Sequence, residues 1–476
     1  MRRAGKIIYI ILAMAICMIP SVGMIFRPTT ETSENKEMAA WPSFTEDGSW
    51  NENYLEEAGE YFDDHFAFRP ELVSSDARIR GDLFGVSSSD QVILGKDGWL
   101  YYEATANDYL RQNQISDRAI YNIAHNVALM QQYVEEQGSQ FLFTVTPNKN
   151  SLYGEYMPYY YRQTSLASNA ERLKPYLEQE GVHYLDLFEL FESQEEILYL
   201  KRDSHWNNKG ALLAYNVMMD QVGQPHDTYQ DTPYTVDDSY IGDLNSMLYP
   251  VGAVPEENQV YDIQQNYAYV TDTKSVEDSW IQTINPQASG SLLMYRDSFG
   301  NTLLPFVSNA WENVWYSQYT PYSIQLDMES CLPDTVIVER VERHLTALGQ
   351  NPPYMESPQA ALAGTEMVED TGTTVSLTDA GAFYGIQGIL DDSVTSEDCK
   401  IYVRCTDASG NTRTMEAFPV TRIEGDRASD YGYQCYIRKE SVSTGSCTID
   451  ILTESQGTLT KVQSWNSEFQ EESTLQ

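Results

Sequence analysis

Ser291-Leu292-Leu293-Met294-Tyr295-Arg296-Asp297-Ser298-Phe299-Gly300 is the stretch that decides the fold. Residues 291–295 form a short apolar run of strand length, and Asn301 to Phe306 reads as the opening of a helix. A strand-to-helix turn of this kind exposes a serine hydroxyl beside the N–H groups that begin the helix. Ser298 is therefore a candidate nucleophile, because an oxyanion forming beside it meets backbone donors already in place. The competing reading is a helix cap, the usual job of a serine at such a junction.

A second stretch weighs against the cap. It runs Leu198-Tyr199-Leu200-Lys201-Arg202-Asp203-Ser204-His205-Trp206-Asn207-Asn208-Lys209-Gly210-Ala211. A strand-like run ends in Asp-x-His, and a helix starts near Lys209. A carboxylate two residues before an imidazole can orient the ring and stabilise its protonated form while the ring takes a serine proton. Asp203 and Asn207 also suit a plain turn. Of the six histidines, His65, His125, His183, His205, His226 and His344, only His205 follows an aspartate by two positions at the end of a strand-like run. His65 sits among Phe62, Phe66 and Phe68 and reads as packing.

Outward from these stretches the chain alternates. Val92 to Tyr102 predicts a hairpin turning at Lys96-Asp97-Gly98. Residues 117–137 predict a helix stopped by Gly138. Phe141 to Val145 predicts a buried strand ending at Pro147-Asn148-Lys149, and residues 167–180 the next helix. Val182 to Leu185 predicts a strand, followed by a short helix and the Asp-x-His strand end. A helix to about Gln221, the Ser298 strand and a Thr335–Glu339 strand complete the series. Strands alternating with helices imply right-handed crossovers and a mostly parallel sheet flanked by helices. In such a sheet the loops after the strands converge on one crevice, and Asn148, Asp203, His205 and Ser298 all belong to those loops. The Asn148 side chain is a candidate second oxyanion donor beside the Ser298 N–H, and also a natural turn residue. Residues 222–290 interrupt the alternation with a tyrosine-rich insertion read as a wall of the site.

These stretches resemble a family. "YLKRDSHWNNKGA" and "YRDSFGNTLLPF" are similar to the SGNH-hydrolase-like alginate O-acetyltransferase family and to the related family named for a DHHW motif. "YFDDHFAFRPEL" (61–72), "VILGKDGWLYY" (92–102), "TPNKNSLYGEYMP" (146–158), "IGDLNSML" (241–248) and "DTVIVERVERHL" (334–345) extend the resemblance over roughly residues 50–345 in matching order. Ser204 stands where DHHW has a second histidine. The alginate-type pattern has a small polar residue there, which leans the match toward O-acetyltransferases. The resemblance implies an SGNH-like fold with Ser298, His205 and Asp203 as catalytic residues, and a membrane-bound O-acyltransferase partner as acetyl source.

Composition places this machinery. The chain has 476 residues, and its 30 Lys+Arg against 70 Asp+Glu leave a net charge of −40. So acidic a surface repels nucleic acid and anionic lipid. Arg2, Arg3 and Lys6 precede an uncharged run from Ile7 to Phe26, which would span about 30 Å as a helix, enough for a bilayer core. The positive-inside bias then predicts a cytoplasmic tail (1–6), a transmembrane signal anchor (7–26) and an exported remainder. Cleavage after Ser21-Val22-Gly23 is the alternative. Residues 27–90 read as a juxtamembrane linker and helical lead-in, 91–345 as the SGNH-like catalytic domain, and 346–368 as a linker. Residues 369–476 have short alternating runs with Gly/Asp/Ser turns and read as a small β-sandwich-like domain with a polar tail after Phe469. Its Cys399, Cys405, Cys435 and Cys447 permit two disulfides in an exported chain. No Cys/His spacing points to zinc or another metal, and the reading needs no cofactor.

The resulting expectation is a membrane-anchored extracytoplasmic O-acetyltransferase acting on a cell-surface polysaccharide through a serine acyl-enzyme. An SGNH carbohydrate esterase uses the same groups with water as acceptor. A non-catalytic glycan-binding surface protein is the reading from a different class.

Overall fold

The computed structural model describes residues 2–30, 37–46, 48–362, 366–424, 427–455 and 457–470. Its centre is a seven-stranded sheet in the order Tyr184–Leu185, Gln140–Thr146, Thr335–Val341, Ser291–Tyr295, Asn313–Ser317, Trp280–Ile284, Ala268–Tyr269. The first five strands pair parallel, as the alternation predicts. Trp280–Ile284 and Ala268–Tyr269 extend the sheet antiparallel. The apolar runs of the central strands are buried on both faces, which is why they read as continuous rather than alternating. Leu292 and Met294 face a core with the Asn208–Val222 and Gly300–Ala310 helices, while Leu293 and Tyr295 face one with the Asp117–Glu136 helix.

Most helices lie where their periodicity puts them: Asp117–Glu136, Asn169–Gln179, Leu187–Glu192 and Asn208–Val222. Gly138 has φ +87 and stops the first of them as expected. The predicted hairpin forms from Val92–Leu94 and Leu100–Tyr102, with Asp97 and Gly98 both at positive φ in its turn. The helical lead-in expected within residues 27–90 is two helices, Tyr54–His65 and Arg69–Phe84. They are divided at Phe68, whose φ is 64, just before the Pro70 that a helix tolerates only in its first turn.

Three expectations need correction. The Leu198–Leu200 run is buried but is not a strand of the sheet; Tyr199 and Trp206 close it into a turn by an isolated antiparallel bridge. Its backbone finds partners within the turn and nearby: Leu198 N–H donates to Tyr153 OH, Leu200 N–H to His205 O, and Leu200 O accepts from Lys149 Nζ, so no ladder is needed. The 346–368 linker ends as structure: Gln359 bridges to Met415, and Glu366–Val368 forms an edge strand parallel to Thr458–Phe469. The third concerns the disulfides. Cys399, Cys405, Cys435 and Cys447 are all buried free thiols in the core of the C-terminal region.

That region is a two-sheet sandwich of five and four strands. It packs on the α/β part through the Asp117–Glu136 helix. Asn126 Nδ2 donates to Pro419 O at 2.9 Å, and Arg118 donates to Cys399 O at 2.8 Å. His125 lies between Glu180 (2.8 Å) and Glu416 (2.9 Å), one carboxylate from each part.

At the N-terminus, Arg2–Gly23 is helical, and Gly5–Gly23 is the one helix among the described residues long and apolar enough to cross a membrane. Its apolar side chains, such as Ile7, Ile11 and Ile16, are exposed. Met24 to Phe26, the end of the expected span, lie in the turn after it. Residues 31–36 and 47 of the 27–90 linker and lead-in, and the tail beyond Gln470, lie outside the described residues.

Candidate active site

Ser298 occupies the turn between the Ser291–Tyr295 strand and the Gly300–Ala310 helix, with strands on both sides that stop at the same edge. The turn is held from below. Arg296 is 1 % exposed and donates to Val276 O at 2.7 Å, to Asp278 O at 3.3 Å and to the Asn301 side chain. Asp297 receives Phe299 N–H at 3.0 Å and Val341 N–H at 2.7 Å, tying the turn to the neighbouring strand. A Cβ on Gly300 would lie 2.6 Å from Arg296 Cδ, so the helix can begin here only with glycine. The N–H of Asp297 is spent on Glu339 Oε2 at 3.1 Å. Glu339, wholly buried with the Asp297 carboxylate beside it, is pushed up to about 8 and keeps its proton at neutral pH. Between these engaged neighbours, the Ser298 N–H has no protein acceptor among the described residues, which leaves it free for an oxyanion.

His205 reaches Ser298 from the turn after Tyr199. Its Nε2 is 2.8 Å from Ser298 Oγ, and its Nδ1 is 2.7 Å from Asp203 Oδ1. A carboxylate on Nδ1 requires the proton there, so Nε2 is left to accept from the serine hydroxyl. Burial alone would lower the ring's proton affinity, but the hydrogen bond and charge of Asp203 outweigh it and hold His205 above its usual value. Burial raises Asp203 in turn, and the His205 contacts more than reverse this, holding it well below the carboxylate range. The three residues singled out from the sequence as Ser298, His205 and Asp203 are thus brought into one hydrogen-bonded line.

Asn148 is not part of that line. It is 1 % exposed, its Nδ2 donates to Asp108 Oδ2 at 3.2 Å, and its N–H donates to Glu342 at 3.0 Å; no hydrogen bond joins it to Ser298. Its neighbour Lys149 matters more. Lys149 Nζ donates to the carbonyls of Leu200 (3.1 Å), Lys201 (3.1 Å) and Asp203, clamping the Asp203 turn from behind. Burial lowers the ammonium to about 8, against the pull of Asp203, Asp243 and Glu256.

The tyrosine-rich insertion contributes directly, beyond the wall expected of it. Tyr240 OH donates to Asp203 Oδ2 at 2.9 Å, and Asp243 N–H donates to the same oxygen at 3.0 Å. Asp243 accepts Ser204 N–H at 2.7 Å and Ser204 Oγ at 2.5 Å, while Glu256 accepts the Lys201 and Arg202 N–H groups. Gly242 permits this approach: a Cβ there would lie 2.4 Å from Arg202 O. Asp203, His205 and Asp243 have donor atoms within 4.8 Å of one another, but every oxygen of the two carboxylates already accepts a protein hydrogen bond. Sequence reasoning missed Tyr240, Asp243, Glu256 and Lys149. All four act on the Asp203 turn across gaps in sequence that no periodicity marks.

Comparison with known proteins gives the fold its place. Residues 92–293 match the family described as "SGNH hydrolase-like domain, acetyltransferase AlgX". These residues form an SGNH hydrolase-like domain. The match includes Asp203 and His205 and stops just short of Ser298. Over 223 residues the chain is 26 % identical to the probable alginate O-acetylase AlgJ of Pseudomonas syringae pv. tomato, covering 45 % of this chain and 51 % of that protein. The chain therefore spans about half the length of that relative. Among solved structures, PatB1 of Bacillus cereus aligns over 52 % of this chain and 95 % of its own, at 18 % identity and a TM-score of 0.43. A DHHW family protein from Eubacterium siraeum aligns over 55 % and 94 %, at 15 % identity and a TM-score of 0.42. The SGNH-like domain, its N-terminal apolar helix and its strand-rich C-terminal region agree with the architecture expected from sequence.

Proposed function

We propose that this chain is an extracytoplasmic O-acetyltransferase that moves an acetyl group through Ser298 onto a polysaccharide hydroxyl. The observation that carries the proposal is the line Asp203 Oδ1–His205 Nδ1 (2.7 Å) and His205 Nε2–Ser298 Oγ (2.8 Å). In the first half-reaction Ser298 Oγ bonds to the acetyl carbonyl carbon as its proton passes to His205 Nε2. The donor's C–O bond then breaks, and the leaving oxygen takes that proton. In the second, a sugar hydroxyl gives its proton to His205 and attacks the acetyl-serine, and Ser298 recovers the proton as it leaves. Asp203 keeps the ring oriented and stabilises the imidazolium in both. The similarity to AlgJ and to the AlgX family supports transfer onto a polysaccharide, and the family resemblance supports a membrane-bound O-acyltransferase as acetyl source.

Hydrolysis by the same residues is separated by the acceptor. With p-nitrophenyl acetate as donor, added acetylatable oligosaccharide is expected to gain acetyl groups, detected by mass, at the expense of free acetate. Release of acetate alone at every acceptor concentration would make the protein an esterase.

We read residues 7–26, whose helix ends at Gly23, as a retained signal anchor, with Arg2, Arg3 and Lys6 before the span on the cytoplasmic side. No acetyl-CoA is present outside the cytoplasm, and anchoring raises the effective concentration of a membrane-bound donor. Mass spectrometry is expected to find the intact N-terminus in the membrane fraction. A soluble protein beginning near Met24 would remove the anchor.

A further inference from the structure

The segment Asp334–Leu345 contributes to the family resemblance, yet the relay described above uses none of its cations. It ends in Val341-Glu342-Arg343-His344-Leu345, just past the Thr335–Val341 strand that pairs with the Ser298 strand. Three arginines lie at this edge of the sheet, and two are engaged. Arg296 is held by main-chain carbonyls and Asn301, and Arg340 donates to Thr320 at 3.5 Å. Arg343 differs. Its side chain is half-buried and has no hydrogen bond or ion pair to any described residue.

What surrounds Arg343 is aromatic. Its guanidinium lies 5.6 Å from the Tyr102 ring and 5.8 Å from the Phe299 ring. Phe299 follows Ser298 in the chain, and its ring is 4.8 Å from the imidazole of His205. The charge thus rests on aromatic faces beside the Ser298–His205 pair, where it acts through space on His205 and on Asp108. The acids nearby have their own donors. Asp108 receives Asn113 and Asn148, Glu342 receives Asn148 N–H and Ser151, Asp297 receives Phe299 and Val341 N–H, and Asp203 and Asp243 serve the histidine turn. Arg343 acts on Asp108 only through charge, without a hydrogen bond or ion pair among the described residues, in a chain with net charge −40.

We propose that Arg343 stabilises the oxyanion formed each time the Ser298 ester is made and broken, as the side-chain partner of the Ser298 N–H. The proposal rests on the acyl-transfer reading above. In both half-reactions the carbonyl π pair moves onto oxygen as the new C–O bond forms, and returns as the old one breaks. The negative charge is therefore transient, and a cation that meets it only then raises kcat rather than ground-state binding. Arg343 has a second effect on the same site. His205 is faced by Asp203 and by Asp243, which favour its protonated form, and by Arg343, which opposes them. Removing the guanidinium is therefore expected to raise the pH at which the ring loses its proton. The imidazole must be neutral to act as base, so the acid limb of activity moves to higher pH with it.

The test uses the full-length chain in detergent, with Arg343→Gln and Arg343→Lys. Arg343→Gln is expected to lower kcat for p-nitrophenyl acetate about 10²-fold with KM little changed, the pattern for loss of one oxyanion donor. In protein made with carbon-labelled histidine, assigned through His205→Gln, the His205 titration is expected to shift upward, and the acid limb of kcat/KM with it. Arg343→Lys, which keeps the charge, is expected to recover the titration and part of kcat. An Arg343→Gln variant with unaltered kcat overturns the proposal. So does one whose kcat falls with a lowered Tm and an unmoved His205 titration, since that is loss of packing on Tyr102 and Phe299. A wild-type chain with no ester turnover removes the acyl-transfer reading itself, and this role with it. Turnover in the wild type with an indifferent Arg343→Gln removes only the latter.

Discussion

Ser298→Ala and His205→Ala are each expected to lower acetyl turnover by at least about 10²- to 10⁴-fold with no loss of folded protein. Ser298 is half-exposed at the end of its turn, and its Oγ partner is His205 Nε2, so the alanine variant leaves only that partly exposed ring nitrogen without its donor. The turn is held by its neighbours Arg296, Asp297 and Gly300, none of which is altered. The two single variants and the double variant should fall to the same residual rate, because a nucleophile and its base act as one unit. Steady-state release of p-nitrophenol measures the loss, and far-ultraviolet circular dichroism checks the fold. Turnover that survives Ser298→Ala would remove this residue from the mechanism, whatever its distance from His205. A trapped acetyl group on the Ser298 peptide, found by mass spectrometry in the wild type and absent from Ser298→Ala, is the matching positive result.

Lys149→Met is expected to damage both stability and activity, although Lys149 is not in the line of proton transfer. Its side chain is 3 % exposed, and its three donors satisfy the carbonyls of Leu200, Lys201 and Asp203. Lys201 O keeps the Leu100 N–H, but Leu200 O and Asp203 O lose their donor; each buried carbonyl left so costs about 1–3 kcal/mol, so the variant should lose about 2 kcal/mol or more. Its charge also balances Asp203, Asp243 and Glu256, which would otherwise repel one another across a buried turn. Lys149→Arg should not rescue it, since a planar guanidinium cannot address three carbonyls around one point in so confined a space. Urea denaturation read by tryptophan fluorescence gives the stability. Turnover of p-nitrophenyl acetate, assayed well below the transition, gives the effect on the Asp203 turn. A variant as stable and as active as the wild type would show that the insertion alone holds that turn, through Tyr240, Asp243 and Glu256.

Much of this architecture is local in origin and so legible in the chain. The apolar runs 291–295, 335–339 and 141–145 are long, doubly buried strands. The helix over 117–137 carries its own cap and glycine stop, and the hairpin turn is written in Lys96-Asp97-Gly98. Ser298, Asp203 and His205 stand out because the chemistry needs those residue types at those junctions, and two of the three sit two positions apart. Strand Asn313–Ser317 went unread because its five residues follow a helix with no turn signal between them. Trp280–Ile284 was hidden in a polar stretch whose alternation, buried only at every second residue, suits an outer antiparallel strand.

Only the tertiary structure decided three further matters. It set the 93-residue gap between His205 and Ser298 to a 2.8 Å contact, which depends on the turn at 199–206 standing outside the sheet. It sent Asn148, a reasonable oxyanion donor by position, to Asp108, and turned its neighbour Lys149 to the Asp203 turn. It also left four cysteines as free thiols, since each sits on an inward face of the sandwich filled by apolar neighbours. The physical reason is common to all three. Residue type and spacing determine which groups are capable of a reaction or a bond, whereas the partner of a buried polar group is whichever complementary group the packing of distant elements brings within about 3 Å.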